Sequence, residues 1–346
     1  MSRPVLEIST ARFAANIRAV QERIAPSALM VVLKDDAYGH GLGWAVEAAR
    51  DAGVEWYGSY DVASGIEARR ALGDTGRILA WVTSTDAEID EALRARIDLG
   101  VGSAEYLRRI IARAHHLGLR ARVHLKIDTG LHRNGLLPSE WEGVLVEVRA
   151  AETAGEIELV GIWSHLAEAS DAEDDEAQRL FLEAVDIAER TGGTPEALHL
   201  TASAASWWRP ELRGSVSRIG AFCYGVRSAD GPELEGIEPI ARLGADVVEI
   251  VEGDAVIGVG AFDGIPSSLA GCRVGTPQGP RELRRIDATT SVVAGWPGAA
   301  VGDRVWVFGP GTHGEDSATT LAERIDTVGE EILTRLTSRV RRVVTP

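Results

Sequence analysis

"MVVLKDDAYGHG", residues 30–41, is the stretch on which the reading of this chain turns. Four apolar residues of the kind that fill a buried strand run into Lys34, and a polar turn with two glycines follows. A lysine at the end of such a strand needs a chemical reason. The rest of the chain sharpens the point, because of its 36 Lys and Arg residues only Lys34 and Lys126 are lysines. A guanidinium stays protonated in a protein. An amine in a dry site can lose its proton and then condense with an aldehyde or take up carbon dioxide as a carbamate.

Outward from Lys34, short apolar runs recur at 29–33, 55–60, 77–82, 97–102, 122–127, 159–165, 197–201 and 215–220. Amphipathic stretches such as "SAEYLRRIIARAHHLG" lie between them, with apolar residues three and four apart. Eight strands alternating with helices predict an α/β fold, a (β/α)8 TIM-type barrel. A doubly wound sheet fits less well, since no G-x-G-x-x-G opens a helix. In a barrel the C-terminal ends of the strands face the active site, which is where Lys34 and Lys126 fall. Beyond residue 235 the texture becomes short Val/Ile runs broken by Gly, Pro and Asp, as in "ADVVEIVEGDAVIGVGAFDG". That predicts a barrel over 1–235 and a smaller C-terminal β domain over 236–346, closed by a helix near 318–329.

Composition excludes several classes of function. A formal net charge of −16 argues against nucleic acid or an anionic membrane surface as partner. The N-terminal "MSRPVLEISTARF" lacks an apolar signal core, and no run is long enough to span a bilayer. Cys223 and Cys272 read as two small buried hydrophobes in a reducing cytoplasm, with no metal site. The acidic run at 168–177 reads as the solvated start of a helix.

"VVLKDDAYGHG" resembles the pyridoxal-phosphate signature of the alanine racemases. The resemblance continues in order through "LKIDTGLHRNG", "GIWSHLAEASD", "HLTASAAS" and "RIGAFCYG". It implies pyridoxal 5'-phosphate as cofactor, bound covalently through Lys34. It further implies Tyr38, Ser203 and the backbone of Gly220 and Ala221 as phosphate ligands, and His165 packed on the cofactor ring. Arg133 is expected near the substrate carboxylate, with a carbamylated Lys126 steadying it. Arg218 is expected at the pyridine nitrogen. Because arginine cannot take up a proton there, the ring is a shallower electron sink, suited to brief removal and return of the Cα proton. A homodimer is implied, the β domain making the dimer contact.

Three positions depart from the family pattern. The tyrosine that serves as its second base, in an S-Y-G segment of the β domain, is missing, and no tyrosine follows Tyr224. The C-terminal tyrosine that binds phosphate is replaced by Glu330, and the Met-Asp pair at the substrate entrance by Ile286-Asp287. The resemblance therefore implies a racemase for a small amino acid, weakened by loss of one base. A different Cα reaction, another amino-acid substrate or a non-catalytic cofactor binder are the alternatives. His132 and His313 are the histidines nearest to a replacement base in the sequence, and both read more simply as loop residues.

Overall fold

The computed structural model describes residues 3–346 and contains two compact units. One comprises Val20–Lys34 and Leu42–Gly220; the other comprises residues up to Ala19, Asp35–Gly41 and Ala221–Pro346. The strands in chain order are β1 (Val5–Ser9), β2 (Ala28–Val32), β3 (Trp56–Tyr60), β4 (Arg77–Ala80), β5 (Asp98–Val101) and β6 (Ala121–Lys126). They continue with β7 (Ile157–Trp163), β8 (Ala197–His199), β9 (Val216–Ile219), β10 (Ala241–Val251) and β11 (Asp254–Ile257). The last five are β12 (Arg273–Thr276), β13 (Gly279–Ile286), β14 (Ser291–Val293), β15 (Arg304–Phe308) and β16 (Arg341–Thr345).

The first unit is the expected barrel. Strands β2–β9 are parallel in the order β8-β7-β6-β5-β4-β3-β2-β9. The Arg218 N–H donates to the Thr201 carbonyl, joining the segments of β9 and β8 at the seam. All eight apolar runs read from the sequence are these strands. Met30, Trp56, Leu79, Val160, Ala197 and Val216 fill the interior, the bulky and branched filling such a barrel needs. The helices between strands start on side-chain caps. Asp61, Ser103 and Ser170 each accept the backbone N–H three residues on, and Thr85 and Glu88 form a capping box. Ala104–Leu117 buries Tyr106, Leu107, Ile110 and Ala114 on one face and stops at the left-handed Gly118.

The second unit is built on an eight-stranded sheet in the order β11-β14-β13-β12-β15-β10-β1-β16. Strand β1 lies antiparallel to β10 and parallel to β16. The N-terminal strand thus belongs with the C-terminal domain, although the sequence reading placed everything up to 235 in the barrel. Its alternating pattern "VLEIS" suits a sheet with one face covered. The helix expected near 318–329 is two short ones, Ala318–Glu323 and Gly329–Thr334, and the residues after them include β16.

Candidate active site

Lys34 lies two residues beyond the end of β2, and Lys126 is the last residue of β6. Lys126 is buried, with its Nζ 4.9 Å from the centre of the Trp163 ring. Burial, then the charges of Arg133 and Arg218, bring its pKa down to about 8. Arg133 is exposed on the loop after β6, where Asp128 ties the turn together by accepting the N–H groups of Gly130 and His132. His132 sits outside, its side chain 79% exposed and its Nδ1 3.0 Å from Asp128.

Arg218 is buried on β9 and also lies against Trp163, with its guanidinium carbon 5.2 Å from the ring centre. One terminal nitrogen meets the His199 carbonyl at 2.6 Å and His199 Nδ1 at 3.0 Å. The other meets the carbonyls of Ser164 at 2.7 Å and Leu200 at 3.1 Å, and His165 Nδ1 at 3.2 Å. Burial lowers the guanidinium to about 9, with Glu168 acting in the opposite sense, so it stays cationic at neutral pH. Burial first, then Arg218, Arg133, Lys126 and Lys34, hold His165 neutral with a pKa of about 3. The Gly220 N–H donates to Ser203 Oγ at 3.3 Å. The barrel unit therefore brings together Lys126, His165 and Arg218, within electrostatic reach of Lys34 and Arg133.

In the second unit, Asp35, Asp36, Ala37 and Tyr38 are four consecutive left-handed residues, with φ from 52 to 55°. Such a turn costs about 1–2 kcal/mol per residue for side chains of this hand. Tertiary contacts hold it. The His40 ring nitrogen Nδ1 lies 2.8 Å from the Ala37 carbonyl, Arg342 donates to the Gly39 carbonyl, and the Tyr38 and Tyr224 rings lie 4.8 Å apart. Tyr38 is buried, its hydroxyl hydrogen-bonds the Ala221 backbone, and burial followed by the Glu330 charge pushes its pKa well up. Asp287 is paired with Arg285, and His313 is an exposed loop residue beside Thr312.

Some functional candidates escaped the sequence reading. Trp163 underlies both Lys126 and Arg218. Asp98, His124 and His199 lie buried in strands or their ends, each in a run that reads as ordinary core. The acidic run at 168–177 is not wholly solvated. Asp174 is buried and accepts the Glu168 N–H, and Glu168 accepts the Ala205 N–H at 3.0 Å.

A parallel eight-stranded barrel with basic groups and a histidine gathered where its strands end is the framework of a barrel enzyme. Family comparison is specific about which. Residues 8–228 match the model of the alanine racemase N-terminal domain, and residues 252–344 that of the C-terminal domain. The chain belongs to the alanine racemase family. It is 36% identical to an alanine racemase of Beutenbergia cavernae over 95% of this chain and 94% of that one. It is 34% identical to one of Thermobifida fusca over 95% of each. The alanine racemase of the D-cycloserine producer Streptomyces lavendulae superposes with a TM-score of 0.91, at 31% identity, over 100% of this chain and 98% of that one.

Proposed function

We propose that this chain is a pyridoxal-phosphate-dependent racemase of a small amino acid, with alanine, the substrate its relatives are named for, as first choice. The observation that carries the reading is Arg218. It is buried and cationic, with both terminal nitrogens held by carbonyl and imidazole acceptors. A guanidinium fixed in place and still cationic at neutral pH fits a ring nitrogen that must stay unprotonated. The other groups suit the cofactor as well. Lys34 offers the primary amine an aldehyde needs, and the N–H groups of Gly220 and Ala221, with Ser203 and Tyr38, are donors for a phosphate.

When bound, pyridoxal phosphate withdraws electrons from Cα and makes its proton removable. The remaining work belongs to the protein. Lys34 serves as the base on one face of Cα. Arg133 binds the substrate carboxylate, oriented by Lys126. His165, kept neutral, packs on the ring and adds no second charge beside Arg218. Asp287 belongs to the substrate entrance. The active form is a homodimer in the cytoplasm, as the family's habit suggests, and the exposed Phe262 of the C-terminal unit supplies apolar surface for pairing. Light scattering decides the dimer. No helix among the described residues is long and apolar enough to cross a membrane.

The test of the central reading is Lys34→Ala. The parent protein, loaded with pyridoxal phosphate, should absorb at long wavelength and yield a covalent adduct on borohydride reduction. The variant should do neither. Retention of both would remove Lys34 from the role.

A further inference from the structure

Beneath Arg218 a line of buried polar groups crosses the barrel. Arg122 Nε donates to Asp98 Oδ1 at 2.8 Å, and Asp98 Oδ2 lies 3.2 Å from His124 Nε2. His124 Nδ1 lies 2.8 Å from His199 Nε2, and His199 Nδ1 lies 3.0 Å from Arg218. Asp98, His124, His199 and Arg218 are all at least 96% buried. None of the roles proposed above requires Asp98 or His124.

The chemistry of the two ends fixes every proton between them. Arg218 has only donors to offer, so His199 Nδ1 must accept and its proton sits on Nε2. That proton points at His124 Nδ1, which must therefore accept, leaving the His124 proton on Nε2. The last donor meets Asp98, whose charge is matched by Arg122. A cationic His199 would turn an N–H against the guanidinium; burial and the Arg218 charge hold its pKa well below the ordinary value. The rings are also clamped. Trp163 lies flat on His199 at 5.7 Å, and Trp56 meets His124 edge-on at 5.9 Å. Gly161 leaves the space they need, because a Cβ there would come within 2.4 Å of His124 Nδ1.

We infer that Asp98 and His124 are positioning residues for Arg218, setting the polarity of a histidine relay that holds its guanidinium in one orientation. The inference rests on the reading that Arg218 serves the cofactor, but the relay itself can be read without cofactor. In protein labelled with 15N-histidine and free of pyridoxal phosphate, two-bond proton–nitrogen spectra should show His124 and His199 both neutral with the proton on Nε2.

Asp98→Asn should reverse the line. Arg122 Nε–H keeps the amide oxygen on its own side, so the amide N–H faces His124 Nε2 and makes it an acceptor. The reversal passes to His199 and points an N–H at Arg218. The spectra should then show both protons on Nδ1. Cα-proton exchange of alanine should fall on the order of 10- to 100-fold, as for other residues that act through an oriented histidine. A wild-type spectrum with either histidine cationic or protonated on Nδ1 overturns the relay, and it does so whether or not the variant folds. So does an Asp98→Asn protein that keeps both tautomers and its exchange rate. Absence of exchange in the wild-type holoenzyme, with the expected tautomers, would overturn the racemase reading instead and leave the relay standing.

Discussion

Lys126 is the residue whose surroundings make the most specific demand. With burial, Arg133 and Arg218 bringing its pKa to about 8, roughly a tenth of it is free amine at pH 7. A charged ammonium between two guanidinium groups is repelled by both, whereas a carbamate is attracted by both. In the presence of 13C-bicarbonate the folded protein should therefore show a carbamate carbon resonance. Lys126→Arg should lose it, because a guanidinium does not add carbon dioxide. A parent spectrum without the resonance would leave Arg133 to be steadied by something else. Lys126 and Lys34 were legible in the sequence because primary amines are so scarce in it. Asp98, His124 and His199 were not. Each reads as an isolated polar residue among apolar neighbours, and only the alignment of β5, β6 and the end of β8 brings them within hydrogen-bond distance.

Among the elements, the hairpin between β10 and β11 has the clearest functional meaning. Val251 pairs with Asp254, so the connection is only Glu252-Gly253, both at positive φ. A two-residue turn has no room for the segment that carries the second base in the family pattern. Inverting Cα requires a proton to leave one face and return to the other, and the role proposed for Lys34 covers one. In deuterated water, exchange of the Cα proton of one alanine enantiomer should run ahead of inversion, with inversion reduced on the order of 10²–10⁴-fold relative to an enzyme holding both bases. Equal rates of exchange and inversion would mean that another group serves the second face. The hairpin was legible as a gap in the motif series. The left-handed turn at 35–38 was not, because aspartate tolerates that hand only as a single residue and Ala37 and Tyr38 disfavour it. It is held by partners such as Tyr224 and Arg342, far along the chain.

At the scale of the molecule, buried histidines make stability depend on pH. Burial lowers His40 to about 4 and holds His199 well below the ordinary histidine value. The unfolded chain takes up these protons near pH 6.5 while the folded one does not, so stability is complete above 6.5 and declines as pH falls below it. His40 alone should remove about 2 kcal/mol by pH 5, a window in which most carboxylates remain ionised, and His199 acts in the same direction. Urea midpoints measured at pH 7 and pH 5 test this, and an unchanged or higher midpoint at pH 5 would contradict it. The barrel was legible throughout, since each strand is a short apolar run beside its own helix. The second unit was legible only in texture. Its sheet pairs strands from opposite ends of the chain, and such pairing leaves no local pattern.

That pairing has a consequence for how the molecule is made. Strand β1 is synthesised well before either of its neighbours, since it is hydrogen-bonded on one side to β10 and on the other to β16. The barrel strands can find their neighbours as they emerge, while Val5–Ser9 must wait until Arg341–Thr345 has been made. Until then it presents an open strand edge, a template on which a second nascent chain could pair. Pairing with β16 thus closes the edge on which β1 is exposed to misassembly.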